Sequence, residues 1–275
     1  MAQENPPFNK KERKWRSNTL AESLASRNHE VIRWRSSFSH QKKIQLQKIS
    51  SKEKHNNYFH RYIDSRAYKK HISILRFLNH LDLARNFKKI ANASHKPDFV
   101  HVANVPIELA YSVASYCYKN NIPYIVDVRD LWPDIYLELI PNKFKILQKI
   151  SSILLHIIYD NKLNFIFKNA IGITALSESF LKWALKKAKR EVSPNDYVLP
   201  MSYEMNTIDK RDFSSEYILK KYNLKKENII ILFIGTFNHQ FNFNTILEAA
   251  KTIENENENI IFIFAGSGPI IEELK

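Results

Sequence analysis

The chain has a single cysteine, Cys117, among its 275 residues. One thiol cannot form an internal disulfide or a thiolate-ligated metal cluster, and such usage fits a reducing compartment. Glycine is scarce as well, at 4 residues, while Asn and Lys abound, a bias that goes with an AT-rich coding sequence. Residues 1–14 are polar and contain prolines, with no apolar stretch of the secretory-signal kind. Nowhere do 18 apolar residues run together, so no membrane-spanning helix is expected. The 10 histidines fall at no metal-ligand spacing, and His29 and His40 read as surface or loop residues. Together these absences point to a cytoplasmic address.

What the chain has in excess is positive charge. There are 42 Lys and Arg against 28 Asp and Glu, a formal net charge of +14. That balance draws a protein towards nucleic acid, an anionic membrane surface or phosphate-bearing substrates, and the sign alone does not choose among them. The lysines are spread along the chain and no recognised nucleic-acid module appears, which weighs against nucleic acid. Hydrophobic residues make up 44%, enough for a sizeable core.

Strand-like and helix-like segments alternate, which predicts an α/β architecture with mainly parallel sheets. Residues 12–27 read as a helix with Trp15, Thr19, Leu20 and Leu24 on its apolar stripe, and residues 31–34 as a short strand. Residues 41–57 read as a basic loop with frayed helix, and 58–63 as a strand. A helix is predicted over 72–90, with Ile74, Leu75, Leu78, Leu81 and Leu83 facing inward. Phe99 to Ala103, the helix from Ile107 to Lys119 and Tyr124 to Val128 form a strand–helix–strand unit of a doubly wound sheet. A long basic helix follows over 143–168, then a strand to Ala175, a helix started by Ser177, and a short strand ending at Pro200. After a polar segment the pattern restarts. Ile229 to Ile234 reads as a fully buried strand, followed by a helix over 243–254 and a strand over 260–265. The expected division is residues 1–205 and 206–275. The first domain lacks an apolar opening strand, since residues 1–11 supply none, and the second holds two strands, too few to bury both faces.

Four segments carry a resemblance. They are Asp127-Val128-Arg129-Asp130-Leu131-Trp132-Pro133-Asp134; Ala21 to Val31 leading to Ser36-Ser37-Phe38-Ser39-His40; Ser177 to Tyr203; and Phe233-Ile234-Gly235-Thr236-Phe237 with Thr245 to Ala250 and Phe264-Ala265-Gly266-Ser267-Gly268-Pro269. Their order and spacing resemble retaining glycosyltransferases of family 4, in the branch that builds bacterial capsule and O-antigen polysaccharides. The resemblance implies a GT-B-like fold: two Rossmann-type doubly wound domains, here with the second incomplete. It implies a hexosyltransferase that takes a nucleotide-diphosphate sugar and a lipid-linked or polysaccharide acceptor, with no cofactor and no metal. Asn104, Arg129 and Asp130 would face the acceptor. Gly235, Thr236, Phe237, Gly266 and Gly268 would line the donor phosphates, because ligands gather beyond the carboxyl ends of parallel strands.

The sequence also departs from that family. The loop after the fourth strand reads Val102-Ala103-Asn104-Val105-Pro106, where many members have a histidine. Asn238 to Asn244 holds His239 but no lysine or arginine, and the family's paired-glutamate motif is not within the 275 residues. Low activity of this chain by itself is therefore expected.

The bland readings stay beside these. Asp127, Arg129 and Asp130 also fit a structural ion-pair cluster, Trp132 and Pro133 fit packing and loop shape, and Gly235 fits a turn with positive φ. On the long basic helix, Ile146, Ile150, Ile153, Leu154, Ile157 and Ile158 recur at helical spacing, with Lys145, Lys149, Ser152, His156 and Tyr159 on another face. That helix could pack on the sheet as an ordinary core element or lie peripherally on the anionic inner face of the cell membrane. Two other readings of the whole chain are an inactive glycosyltransferase remnant and a basic nucleic-acid-binding protein.

Overall fold

The computed structural model describes residues 15–40, 42–46, 52–55, 58–69, 73–135, 145–201, 215–238, 241–254 and 259–274. The fold is α/β with parallel sheets, and the chain divides into two compact units, Met1–Glu204 and Met205–Lys275.

The first unit is organised on a parallel sheet of four strands in sequence order: β6 (Val100–Ala103), β7 (Tyr124–Val128), β8 (Gly172–Ala175) and β9 (Tyr197–Val198). A second sheet pairs β1 (Ile32–Ser36) parallel to β5 (Tyr58–Ile63), with β4 (Lys52–His55) antiparallel on the far side of β5. A short antiparallel pair, β2 (Phe38–Ser39) with β3 (Ile44–Gln45), lies in the loop after β1. The helices are α1 (Arg16–Ala25), α2 (Ile74–Asn92), α3 (Ile107–Asn120), α4 (Lys145–Lys168) and α5 (Glu178–Ala188).

Local chemistry sets the helix ends. Pro106 precedes α3, and Asn121 ends it in the left-handed region at φ 55, after which Pro123 leads into β7. Ser73 caps α2 by accepting the Arg76 N–H at 3.2 Å, and Ser177 caps α5 by accepting the Phe180 N–H at 3.4 Å. The core runs through Leu83, Phe87 and Ala91 of α2, Ala110, Val113, Ala114 and Cys117 of α3, Leu163, Ile166 and Phe167 of α4, and Ala184 and Ala188 of α5. Tyr124, Val126 and Val128 of β7 are buried against them, and all four consecutive residues of β8 are buried, so the centre of this sheet is covered on both faces. Burial pushes the Cys117 thiol up to about 12, which makes it an inert core group.

Two readings of the first unit need correction. Residues 41–57 are not a frayed helix: the described part contains β3 and β4. Backbone pairing with β5 overrides the polar composition there. In α2, Leu83 is buried, but Ile74 is 79% and Leu75 51% exposed. The inward positions are Asn79, His80, Leu83, Phe87 and Ala91. Polar residues can occupy that face because Asn79 donates to the Arg66 carbonyl and His80 Nδ1 sits against Glu108, so each has a polar partner on the packed side.

The second unit has two parallel strands, β10 (Ile229–Thr236) and β11 (Ile260–Ser267), joined by α7 (Phe243–Glu254) and preceded by α6 (Ser215–Lys221). A 3₁₀ turn spans Ile271–Leu274. Its small core gathers Phe237, Phe243 and Ile270, with Phe233, Ile246 and Phe264 packed around them. Strand β10 is not buried as its composition predicts: Ile229 is 58%, Leu232 54% and Ile234 74% exposed. Two strands leave most of the apolar alternation without a partner layer. No helix among the described residues is long and apolar enough to cross a membrane.

Candidate functional site

The first unit's polar centre forms where β6 and β7 end. Asp127, the fourth residue of β7, is fully buried. Its carboxylate accepts hydrogen bonds from Arg129 Nε at 2.7 Å, Thr174 Oγ1 at 2.7 Å and Arg16 Nη2 at 3.1 Å. Arg16 also donates to the carbonyls of Leu199 and Pro200. One carboxylate therefore ties the start of α1, the strand β8 and the loop after β7, and Arg16 extends the tie to the end of β9. Burial alone would raise the pKa of Asp127, but the Arg129 charge and the hydrogen bonds from Arg129 and Thr174 outweigh it and hold the carboxyl below its usual range.

Asn104 is also fully buried. Its Nδ2 donates to the Asp130 carbonyl at 2.6 Å, its Oδ1 accepts the Arg129 N–H at 3.0 Å, and its own N–H donates to the Asp127 carbonyl at 3.0 Å. These bonds fix the loop from Arg129 to Pro133. Asn104 is thus a clamp on that loop, and Arg129 is committed to Asp127. Further along, Asp134 accepts from Trp183 Nε1 at 2.7 Å and pairs with Lys187 at 3.5 Å, docking the end of the loop onto α5. The Val105–Pro106 and Trp132–Pro133 bonds are both cis.

Asp130 is different. No described residue hydrogen-bonds to its carboxylate. Desolvation raises its pKa, opposed by the charges of Arg76 and Arg129 nearby. Of the three acceptor-side residues expected from sequence, Asn104 and Arg129 are held within the fold and Asp130 alone keeps its side chain available.

The structure adds residues that the sequence did not single out. Arg76, in the first turn of α2, lies over the Trp132 ring at 4.7 Å. Lys43, from the short hairpin after β1, lies over Tyr68 at 4.6 Å, and its pKa is lowered by burial and by Arg76. Burial pushes the Tyr68 hydroxyl up to about 12, and that hydroxyl meets His40 Nδ1. Beneath Trp132 the ring of His80 lies 5.7 Å away. His80 Nδ1 faces Glu108 at 3.5 Å, and Glu108 accepts from the Tyr159 hydroxyl at 2.8 Å. Arg76 and Arg129 thus bring two cations near Asp130, with Lys43 close enough to Arg76 to feel its charge, beyond the carboxyl ends of strands, where open parallel sheets bind ligands. Such a lining suits an anion with an attached polar group. The one sequence trace of it was Ser73, whose cap sets the start of α2 and so the position of Arg76.

The second unit's glycine positions have a steric explanation. Gly235 and Gly266 are register partners across β10 and β11. A side chain on Gly266, whose φ is +157, would overlap the Gly235 carbonyl, and one on Gly268 would overlap the Phe237 carbonyl. Phe237 is 4% exposed within the aromatic cluster, and its N–H donates to the Ser267 carbonyl at 2.9 Å. Its ring is therefore a packing element and does not reach a phosphate, and its amide is already used. Thr236 is exposed at the strand end. Between Gly235 and Gly268 the described residues carry one cation, Lys251 in the last turn of α7, so an anion at this strand end would rely on backbone amides.

Among the described residues no group of three or more metal-ligating side chains gathers. No family model matches the chain, and no curated protein matches it.

Proposed function

We propose that the chain is a glycosyltransferase of GT-B type. It moves a sugar from a nucleotide-diphosphate donor to a lipid-linked or polysaccharide acceptor in surface-polysaccharide assembly, at the inner face of the membrane and without a metal. The observation that carries this reading is Asp130: a carboxylate of raised proton affinity, without a hydrogen-bond partner among the described residues, near Arg76 and Arg129 at the mouth of a parallel sheet. In that role Asp130 accepts the proton of the acceptor hydroxyl as the new C–O bond forms and the nucleoside diphosphate leaves. Arg76 and Lys43 hold the acceptor's anionic group. Asn104 and Arg129 act through the loop they fix, as positioning residues. In the second unit, the strand ends at Gly235-Thr236 and Gly266 to Gly268 take the donor phosphates through the backbone.

The reading is tested by sugar transfer from a panel of labelled nucleotide-diphosphate sugars, with a membrane fraction as the acceptor source. Asp130→Asn is expected to lower transfer about a hundredfold or more and to leave the unfolding curve unchanged. Asp127→Asn is expected to lose both activity and stability. Transfer by Asp130→Asn at the unsubstituted rate, or no reaction and no binding with any donor, overturns the proposal.

A further inference from the structure

Helix α4 changes character along its length. Its last third is core, with Leu163, Ile166 and Phe167 at 0% exposure. Its first two thirds turn an aliphatic stripe outward. Ile146, Ile150, Ile153 and Ile157 recur at three- and four-residue steps, Leu154 and Ile158 widen the stripe, and the six side chains are between 50% and 78% exposed. Isolated exposed aliphatics are ordinary, but six together on one helix face mark an interaction surface. The core-packing reading of these isoleucines therefore does not hold.

The charge around the stripe says what covers it. Lys149 is exposed beside it, and Lys162 and Lys168 follow on the same helix. The one acidic side chain of α4, Asp160, is neutralised by Lys187 at 2.8 Å. The helix packed next to it, α5, carries Lys182, Lys186 and Lys187 against Glu178. The whole chain stands at +14. A second copy seated on the stripe would bring two basic surfaces together, which like-charge repulsion opposes. An anionic lipid surface satisfies both features, because aliphatic side chains enter the headgroup boundary while lysines meet the phosphates. α4 is not apolar enough to cross the bilayer. We infer that the Ile146–Ile158 face of α4 is a docking surface for an anionic membrane, with the helix lying in the plane of the interface. The inference rests on this helix and stands apart from sugar transfer.

Vesicle flotation tests it. The chain is expected to float with phosphatidylcholine vesicles containing phosphatidylglycerol, to float poorly with phosphatidylcholine alone, and to bind less as salt is raised. Ile150 and Ile157 are exposed, so the double variant Ile150→Ser/Ile157→Ser should keep the unsubstituted unfolding curve while its partition falls about tenfold or more. Lys149→Glu should give a smaller loss, confined to low salt. Equal flotation of the double variant, or no preference for anionic vesicles, overturns the inference. So does a dimer in solution that Ile150→Ser/Ile157→Ser converts to monomer, or DNA binding that the double variant weakens as much as lipid binding.

Discussion

Strands β8 and β10 invite comparison because each carries isoleucine inside a parallel sheet and the two isoleucines meet opposite fates. In β8, Ile173 is at 0% exposure, between β7 and β9 with helices packed over the sheet. In β10, Ile231 is 44% exposed although its neighbours are Ile229, Ile230, Leu232, Phe233 and Ile234. An all-apolar strand says that the chain can be buried on both faces. Whether it is buried depends on how many layers the tertiary structure supplies. In the first unit α2, α3, α4 and α5 supply them; in the second, the aromatic cluster covers the end near Phe233 and Phe237 and leaves the rest open.

Four measurements would break or sharpen that contrast, and the tryptophans make three of them unit-specific. All four tryptophans, Trp15, Trp34, Trp132 and Trp183, lie in the first unit, so their emission reports its unfolding alone. The largest effect is expected for Asp127→Ala. It leaves the partly buried Arg129 and Arg16 beside an empty carboxylate site and should cost about 3 kcal/mol or more in denaturant unfolding followed by tryptophan emission. A loss under about 1 kcal/mol, the scale of a surface pair, would show that the cluster is no structural hub. Next comes Ile173→Ala, expected to cost about 2–5 kcal/mol on the same signal.

The third is a pH effect. Burial lowers the pKa of His101, on β6, to about 4 from an ordinary 6.5, with the Arg129 charge also acting downward and Asp127 opposing. Between those values the unfolded chain binds a proton that the folded chain refuses, so first-unit stability is expected to fall as pH drops from 6.5 towards 4. His101→Gln should flatten the curve over that window; an unchanged curve would show that His101 titrates normally. Asp196 acts lower on the scale. Burial raises its pKa, but the Arg190 guanidinium and the Ser193 and Ile173 N–H groups prevail and bring it to about 2, so its contribution is present above 4 and is lost as pH falls through 2. The smallest effect is expected for Ile231→Ala, under about 0.5 kcal/mol by hydrogen exchange of the β10 amides, because the side chain is already half in water. A loss near that of Ile173→Ala would mean that β10 is covered in solution.

The segment Asp127 to Asp134 shows how much of the site could be read from the order of residues. Its resemblance to a family motif marked it, and the structure ties Asn104, in the loop after β6, to Arg129 and Asp130 in the loop after β7. The division of labour inside it was not readable. Asp127 and Arg129 are bound to each other, Asp134 is bound to Trp183, and only Asp130 is left open. Sequence spacing places these side chains on a strand and a loop but does not say which carboxylate meets Arg16, 111 residues away. Arg76 and Lys43 were invisible for the same reason: they come from a helix and a hairpin whose sequences carry no mark of the site beyond the serine that caps the helix.

By itself the sequence determined the alternation of strands and helices, the helix start at Ser177, and the parallel order of β6 to β8, since caps, turns and short strand–helix–strand connections are local chemistry. It also determined that α4 would have an aliphatic stripe. Only the tertiary structure decided that this stripe and most of β10 face outward, that Asn79 and His80 face inward, and that Arg35 is fully buried on β1 against Tyr62. Burial is a property of what packs against an element, and that information lies in residues far away along the chain.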